Sequence, residues 1–294
     1  MPQRVVTGTL YLVGWLVLAW LGGWWLTLAV AVAAVIGVLE LKWVASRRRM
    51  RLATEIAYPI AVAFVISAHH FANQLEDYGL AVFALVGLLI VVDFAVHLRQ
   101  GLRTPTACVS LTVFGTLYCG MMLSAIVLLR GYQPELTAPT ILGELPYGQR
   151  LLFFLLFVTM LSDVGAYLIG KTVGKHKLEQ TVSPNKTIEG CLGAVAVAVL
   201  AALVVGRLFN VGVTTSTGAL PEAIARASMG HRVMLGLLLG LFGQIGDFGA
   251  SIFKREAEVK DYGWLFPGHG GVLDRLDTLI VNAPLLYLYV QCAM

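Results

Sequence analysis

Apolar runs of about twenty residues alternate with short polar joints along almost the whole chain. A helix that crosses a hydrocarbon layer needs about that length, because each residue advances it by only about 1.5 Å. The runs lie at 5–21, 24–43, 53–71, 79–98, 106–129, 150–170, 187–208, 232–253 and 271–292. The pattern predicts an all-α, polytopic integral membrane protein with about nine transmembrane helices. Arg4 precedes the first run, as it would in a signal peptide. However, Gly22-Gly23-Trp24-Trp25 leads straight into the second run without a cleavage site. The first run is therefore read as a membrane helix, and the glycine pair beside tryptophans as a tight interfacial turn.

The joints differ in charge. The N-terminus and the joints after runs two, four, six and eight hold Arg4, Lys42, Arg47, Arg48, Arg49, Arg51, Arg99, Arg103, Lys171, Lys175, Lys177, Lys186, Lys254, Arg255 and Lys260, fifteen in all. The opposite set holds five, Arg130, Arg150, Arg207, Arg226 and Arg232, while Arg275 opens the ninth run. Positive charge stays inside, so the N-terminus is expected to be cytoplasmic and the C-terminus outside. The Arg47–Arg51 cluster reads as an orientation signal and a contact for anionic lipid.

Composition agrees. Hydrophobic residues make up 58% of the chain and charged residues 13%, against about 25% charged in a soluble domain. This excludes an ordinary soluble domain, a disordered chain and a disulfide-stapled scaffold. A net charge of +4, from 21 Lys and Arg against 17 Asp and Glu, is too small and scattered for a nucleic-acid footprint. Cys108, Cys119, Cys191 and Cys292 are far apart and form no CxxC pair, so they read as packing residues. Trp15, Trp20, Trp24 and Trp25 read as interface anchors.

Polar residues are unevenly spread among the runs. Residues 1–149, spans one to five, are poor in them and are expected to form a transmembrane scaffold and oligomerisation region. Asp93 and His97 stand out there, and their i, i+4 spacing reads as a mutually bonded pair. Residues 150–294, spans six to nine, carry most of the unusual polar groups and are expected to be the catalytic region.

A charged Asp at the centre of a membrane helix costs about 2.5–3.5 kcal/mol, so each one asks for a function. Ser162-Asp163-Val164-Gly165-Ala166-Tyr167 leads to Gly170-Lys171 in span six. Gly246-Asp247-Phe248-Gly249-Ala250-Ser251 leads to Lys254-Arg255 in span eight. Both share Asp-x-Gly-Ala followed by a cation, and both spans run the same way. Asp163 and Asp247 are thus expected at similar depth, about 11 Å from the cytoplasmic end. Asp247, Ser251, Lys254 and Arg255 fall at i, i+4, i+7 and i+8, a polar wall on one helix face. Span nine follows Phe266-Pro267-Gly268-His269-Gly270-Gly271 and presents Asp274-Arg275-Leu276-Asp277. Asp274 and Asp277 share a face, and glycines before a helix N-terminus let backbone N–H groups approach an anion. Carboxylates among fixed cations suit Mg²⁺ and phosphate, the needs of phosphoryl or nucleotidyl transfer.

Ser251-Ile252-Phe253-Lys254-Arg255, then Lys260-Asp261, then Pro267-Gly268-His269-Gly270-Gly271, then Asp274-Arg275-Leu276-Asp277, resembles the signature of the phosphatidate cytidylyltransferases. Upstream, Asp163–Tyr167 and Ser183-Pro184-Asn185-Lys186-Thr187-Ile188-Glu189-Gly190 resemble that family's second block, with Asn185 where Lys is usual. The resemblance is close in the C-terminal half and covers the N-terminal half only in its run of spans.

The resemblance implies an inner-membrane, multi-pass enzyme, typically a homodimer, whose active site faces the cytoplasm. Its substrates would be CTP and phosphatidate, and its products CDP-diacylglycerol and pyrophosphate. Asp247, Asp274 and Asp277 would hold Mg²⁺; a second metal or a monovalent cation beside it is left open. Lys254, Arg255, Lys260, His269 and Arg275 would hold phosphates, with Ser251 donating a hydrogen bond and Gly270 and Gly271 offering backbone. Asp163, Lys171, Ser183, Asn185 and Lys186 would complete the nucleotide side. Asp261 is the candidate general base, if one is needed at all.

Blander readings exist for each group. The three aspartates suit a buried ion-pair network with Arg275 and Lys254. Lys254, Arg255 and Lys260 suit orientation charges, His269 a turn residue, and Asp163 a helix-pairing residue bonded to Lys171 or Tyr167. An ion-coupled transporter would also carry intramembrane charge, but at the midplane and with inverted repeats. A CTP-dependent lipid kinase would transfer the γ-phosphoryl group instead. A CDP-alcohol phosphotransferase would need a paired Asp-Gly and Ala-Arg motif that is absent.

Overall fold

The computed structural model describes residues 2–100, 105–134, 140–141, 143–179, 181–212, 221–263, 265 and 270–293. Helices dominate: α1 Pro2–Leu21, α2 Gly23–Arg47, α3 Thr54–His70, α4 Leu75–Gln100, α5 Pro105–Thr116, α6 Leu123–Gly131, α7 Tyr147–Thr172, α8 Ile188–Leu208, α9 Pro221–Glu256 and α10 Leu273–Ala293. A six-residue π-helical segment, Leu117–Met122, joins α5 to α6. Among the described residues seven helices are long and apolar enough to cross a membrane. The protein is an all-α, polytopic membrane protein; every expected run is helical, the fifth as α5, the π-helical segment and α6 together, but α1 and α3 are not among the seven. One element was not expected: β1 (Lys177–Glu179) and β2 (Ser183–Thr187) form an antiparallel hairpin, pairing Lys177 with Thr187 and Glu179 with Ser183.

The chain folds as two compact units. One comprises Met1–Gly131 with Phe253–Leu276, the other Tyr132–Ile252 with Asp277–Met294. The units do not follow the two halves of the sequence, because Phe253–Leu276 packs with the N-terminal helices.

In the first unit α3 is central. Ile56, Ile60 and Phe64 are buried with Leu89 of α4, burial that adds about 1.5–3 kcal/mol per large side chain. Gly120 in the π-helical segment brings that backbone onto α3; a Cβ there would lie 2.7 Å from the Cα of Ala61. The outer face of α4 is apolar and exposed at Leu80, Phe83, Val91, Phe94 and Leu98, as a lipid-facing helix should be. Asp93 and His97 are buried on α4 and paired at 3.0 Å, as their spacing predicts. Gly22 turns α1 into α2 at φ 61, ψ −151, a backbone state that glycine alone adopts readily. Arg130 crosses to the end of α1, where its Nε donates to the Ala19 carbonyl at 2.8 Å.

In the second unit small residues set the helix spacing. A Cβ at Gly240 of α9 would lie 2.9 Å from the Cα of Val195 on α8, and one at Gly165 of α7 2.7 Å from Val197 Cβ. Such close approach replaces the hydrophobic drive that is missing between helices in lipid. Asn282 of α10 donates to the Leu239 carbonyl at 3.1 Å and to Thr159 Oγ1 at 3.2 Å, tying α10 to α9 and α7. At the start of α8, Thr187 Oγ1 accepts from Gly190 N at 3.1 Å, an N-cap that ends β2 and begins the helix.

Candidate functional site

A cavity of about 490 Å³ opens in the second unit. Asp163, Ala166, Tyr167, Gly170 and Lys171 of α7 form one wall. Lys177, Asn185, Lys186 and Thr187 of the hairpin form the next, and Gly190, Cys191, Gln244 and Asp247 of α8 and α9 close it. The two Asp-x-Gly-Ala segments therefore meet at one cavity, each aspartate nine residues before the end of its helix. Three lysines face two carboxylates there, a charge balance suited to a bound polyphosphate.

The hairpin delivers two of those lysines. Its turn is held by Glu179, which accepts from Thr181 N at 3.2 Å and Thr181 Oγ1 at 2.7 Å, bonds that hold its carboxyl below the usual range. Its base is held by Glu189, which accepts from Lys175 N at 3.1 Å and pairs with His176 Nδ1 at 2.6 Å. Lys186 Nζ reaches Asp247 Oδ2 at 2.6 Å and sits 3.9 Å from the centre of the Phe248 ring. Lys171 Nζ lies 5.7 Å from the Tyr167 ring. Asp163 and Asn185 are exposed to the cavity. Ser183 starts β2 and is not among the lining residues, and Ser251 is buried on α9 one turn beyond Asp247.

A second polar cluster surrounds the start of α10, in the first unit. Asp274 is buried and accepts three hydrogen bonds: from Lys254 Nζ at 2.6 Å, Tyr262 N at 2.7 Å and Gly271 N at 2.9 Å. Lys254 is itself only 12% exposed and lies 5.2 Å from the Tyr262 ring. The ion pair of the blander reading is thus present, and Asp274 anchors the connection between α9 and α10. Gly270 has φ +81, and a Cβ there would fall 2.6 Å from Asp274 Oδ2. Arg275 has its carbonyl capped by Tyr11 Oη at 2.9 Å, and its Nε is buried without a hydrogen-bond partner among the described residues. A desolvated guanidinium N–H is a fitting donor for an anion. Arg255, Lys260 and Asp261 are exposed. His269 lies outside the described residues. Asp277, in the second unit, is buried; its Oδ1 accepts from Thr278 N at 2.8 Å.

The same cluster holds a residue that motif reading passed over. Glu40 of α2 is buried, and its carboxylate accepts from Val272 N at 2.7 Å and Leu273 N at 2.8 Å. A carboxylate inside an apolar span is the signal that marks Asp247, and it marks Glu40 equally. Lys177 and Gln244 also line the cavity without having been singled out; Lys177 had counted only toward orientation.

Among the described residues no three His, Cys, Asp or Glu side chains gather into a ready-made metal site. Mg²⁺ is commonly held by one or two carboxylates with substrate phosphates. Asp247, 33% exposed beside the Lys186 ammonium, fits that use. Asp274, with both oxygens already engaged, would bind a metal only by releasing a donor.

Membrane-spanning helices thus surround a cavity lined by lysines and carboxylates, and the comparisons with known proteins give the class, a membrane nucleotidyltransferase. The chain belongs to the cytidylyltransferase family, whose family model matches residues 2–293. It is 27% identical over 287 residues to a phosphatidate cytidylyltransferase of Bacillus subtilis (strain 168), covering 98% of this chain and 96% of that one. It is 30% identical over 304 residues to one of Synechocystis sp., with the same coverage. A third, of Brucella suis, is 33% identical over 222 residues and covers 72% of each chain.

Proposed function

We propose that this protein transfers the cytidylyl group of CTP to phosphatidate, giving CDP-diacylglycerol and pyrophosphate. The observation that carries this reading is the cavity in which Lys171, Lys177 and Lys186 face Asp163 and Asp247. Three ammonium groups answer the charge of a triphosphate, and the relatives named phosphatidate cytidylyltransferase supply the identity of both substrates.

A phosphate oxygen of phosphatidate attacks the α-phosphorus of CTP. A new P–O bond forms, the bond from the α-phosphorus to the oxygen it shares with the β-phosphorus breaks, and pyrophosphate leaves with that electron pair. No covalent enzyme intermediate is required. A phosphate monoester is largely dianionic near neutral pH, so Asp261 acts as a base only if its remaining proton must be removed. Lys186 exchanges Asp247 for a phosphate oxygen, and Lys171 and Lys177 hold the remainder of the triphosphate. Lys254, Arg255, Lys260, His269 and Arg275 are assigned to phosphates, Ser251 to a hydrogen bond, and Gly270 and Gly271 to backbone contacts. Mg²⁺, when bound, neutralises phosphate charge as the leaving group departs. The carboxylates proposed to hold it are Asp247, Asp274 and Asp277. An inner-membrane location with the reacting groups on the cytoplasmic side, and a homodimer formed through the N-terminal helices, complete the proposal.

Purified protein with phosphatidate, Mg²⁺ and CTP labelled separately at the α and γ phosphorus tests it. Label from the α position should enter lipid while γ label is released as pyrophosphate, and Asp247→Asn should abolish both. Entry of γ label into lipid would make the protein a lipid kinase and overturn the assignment.

A further inference from the structure

We infer that Glu40 is a positioning residue for the reaction, holding the first turn of α10 in register from the scaffold helix α2. Val272 N and Leu273 N, at the helix start where N–H groups lack intrahelical partners, both donate to its carboxylate at 2.7 and 2.8 Å. A negative charge at that end also meets the positive pole of the helix dipole. The surrounding backbone is shaped to this one side chain. A Cβ at Gly263 would lie 2.7 Å from Glu40 Oε1, and one at Gly271 2.6 Å from Glu40 Oε2. Two glycines within the α9–α10 connection thus make room for a carboxylate supplied from 232 residues away.

The consequence falls on the next two residues. Asp274 takes its bonds from Lys254, Tyr262 and Gly271, and Arg275 has its Nε buried without a hydrogen-bond partner among the described residues. Both side chains leave the helical turn whose two leading N–H groups Glu40 fixes. Displacement of that turn by about 1 Å is enough to cost on the order of a hundredfold in turnover where reacting groups must align. This role rests on the function proposed above, which puts Asp274 and Arg275 in the reacting segment. A carboxylate is the group required. Glutamine would meet one N–H with an acceptor and the other with an NH₂ donor, and aspartate is one methylene short.

The test compares Glu40→Gln, Glu40→Ala and Glu40→Asp with wild type, using the full chain purified in detergent. Phe64→Leu, which loosens the buried core of the same unit, serves as the control for general destabilisation. Turnover per folded molecule should fall about 10- to 100-fold in Glu40→Gln, with KM for CTP held within about twofold. The amides of Val272 and Leu273 should exchange faster with solvent deuterium, and Glu40→Asp should lie between wild type and Glu40→Gln. Phe64→Leu should lower the melting temperature and leave turnover per folded molecule unchanged. Wild-type turnover in folded Glu40→Gln, or an equal loss in Phe64→Leu, overturns the inference. Should Glu40→Ala fail to fold, Glu40→Gln and the exchange rates decide. Asp274→Asn is measured alongside: if it retains full turnover, the assignment of the reacting segment fails instead, independently of what Glu40 does.

Discussion

Lys186 and Asp247 form a 2.6 Å ion pair at the cavity wall, and the same ammonium packs 3.9 Å from the Phe248 ring. The lysine is carried by the hairpin and the aspartate by α9, so a strand and a membrane helix are joined by opposite charges inside the cavity. A phosphate offers the lysine a stronger partner, because it carries more charge and more acceptor oxygens than a carboxylate. Ligand binding would then release Asp247 from its neutralising partner.

Replacing Lys186 with alanine should therefore weaken use of the nucleotide more than folding. Loss of a charge-assisted hydrogen bond of about 1.5–3 kcal/mol predicts a fall in kcat/KM for CTP of roughly 10- to 100-fold. Lys186→Arg should recover part of it. Steady-state kinetics in detergent decides, and an unchanged KM would take Lys186 out of the nucleotide site.

Asp274→Asn leaves Lys254 buried with its charge uncompensated. Breaking a buried pair in this way costs about 3–5 kcal/mol, so the melting temperature should drop by several degrees along with turnover. Substituting both partners, Asp274→Asn with Lys254→Met, should restore much of the stability and none of the activity. Thermal melts of the purified variants give the comparison, and full stability in the single variant would mean the pair is not closed.

At the turn between α1 and α2, Gly22→Ala should destabilise by about 1–3 kcal/mol, since alanine is strained at that φ and ψ. Its methyl would also fall 2.6 Å from the Arg130 guanidinium. Arg130→Ala removes the bond to the Ala19 carbonyl and should lower the melting temperature too. Both should keep wild-type turnover per folded molecule, because neither touches the polar clusters.

Chelation of divalent metal should abolish turnover, and added Mg²⁺ should restore it. In Asp247→Glu the Mg²⁺ concentration for half-maximal rate should rise on the order of tenfold or more. Mg²⁺ with CTP should raise the wild-type melting temperature, as any ligand of the folded state does. An unaltered metal requirement in the variant would remove Asp247 from the metal's partners.

Much of this architecture was legible because apolar length is a strong physical signal in a membrane. Span boundaries fell within a few residues of the helices except at α9, which begins at Pro221 and not near 232. Its first turns include Glu222, Arg226 and His231, so hydropathy passed over a helix that continues through polar residues. The hairpin was illegible for a related reason: Lys177–Glu179 and Ser183–Thr187 are short, polar and interrupted by Pro184, and carry no alternation. The repeated Asp-x-Gly-Ala, by contrast, pointed to a similar depth for Asp163 and Asp247, and both line one cavity. Glu40 carried the signal of an acid inside an apolar span, but its partners, backbone N–H groups at the far end of the chain, are recorded by no motif.

That distance has a bearing on how the protein is made. Glu40 is separated from Val272 by 232 residues, which a ribosome adding about 5–20 residues per second takes roughly 10–50 s to bridge. Through that interval α2 has been synthesised and its carboxylate has no α10 to receive it. The first unit cannot finish assembling before the last helix emerges, because the amides that Glu40 accepts from lie at the start of α10.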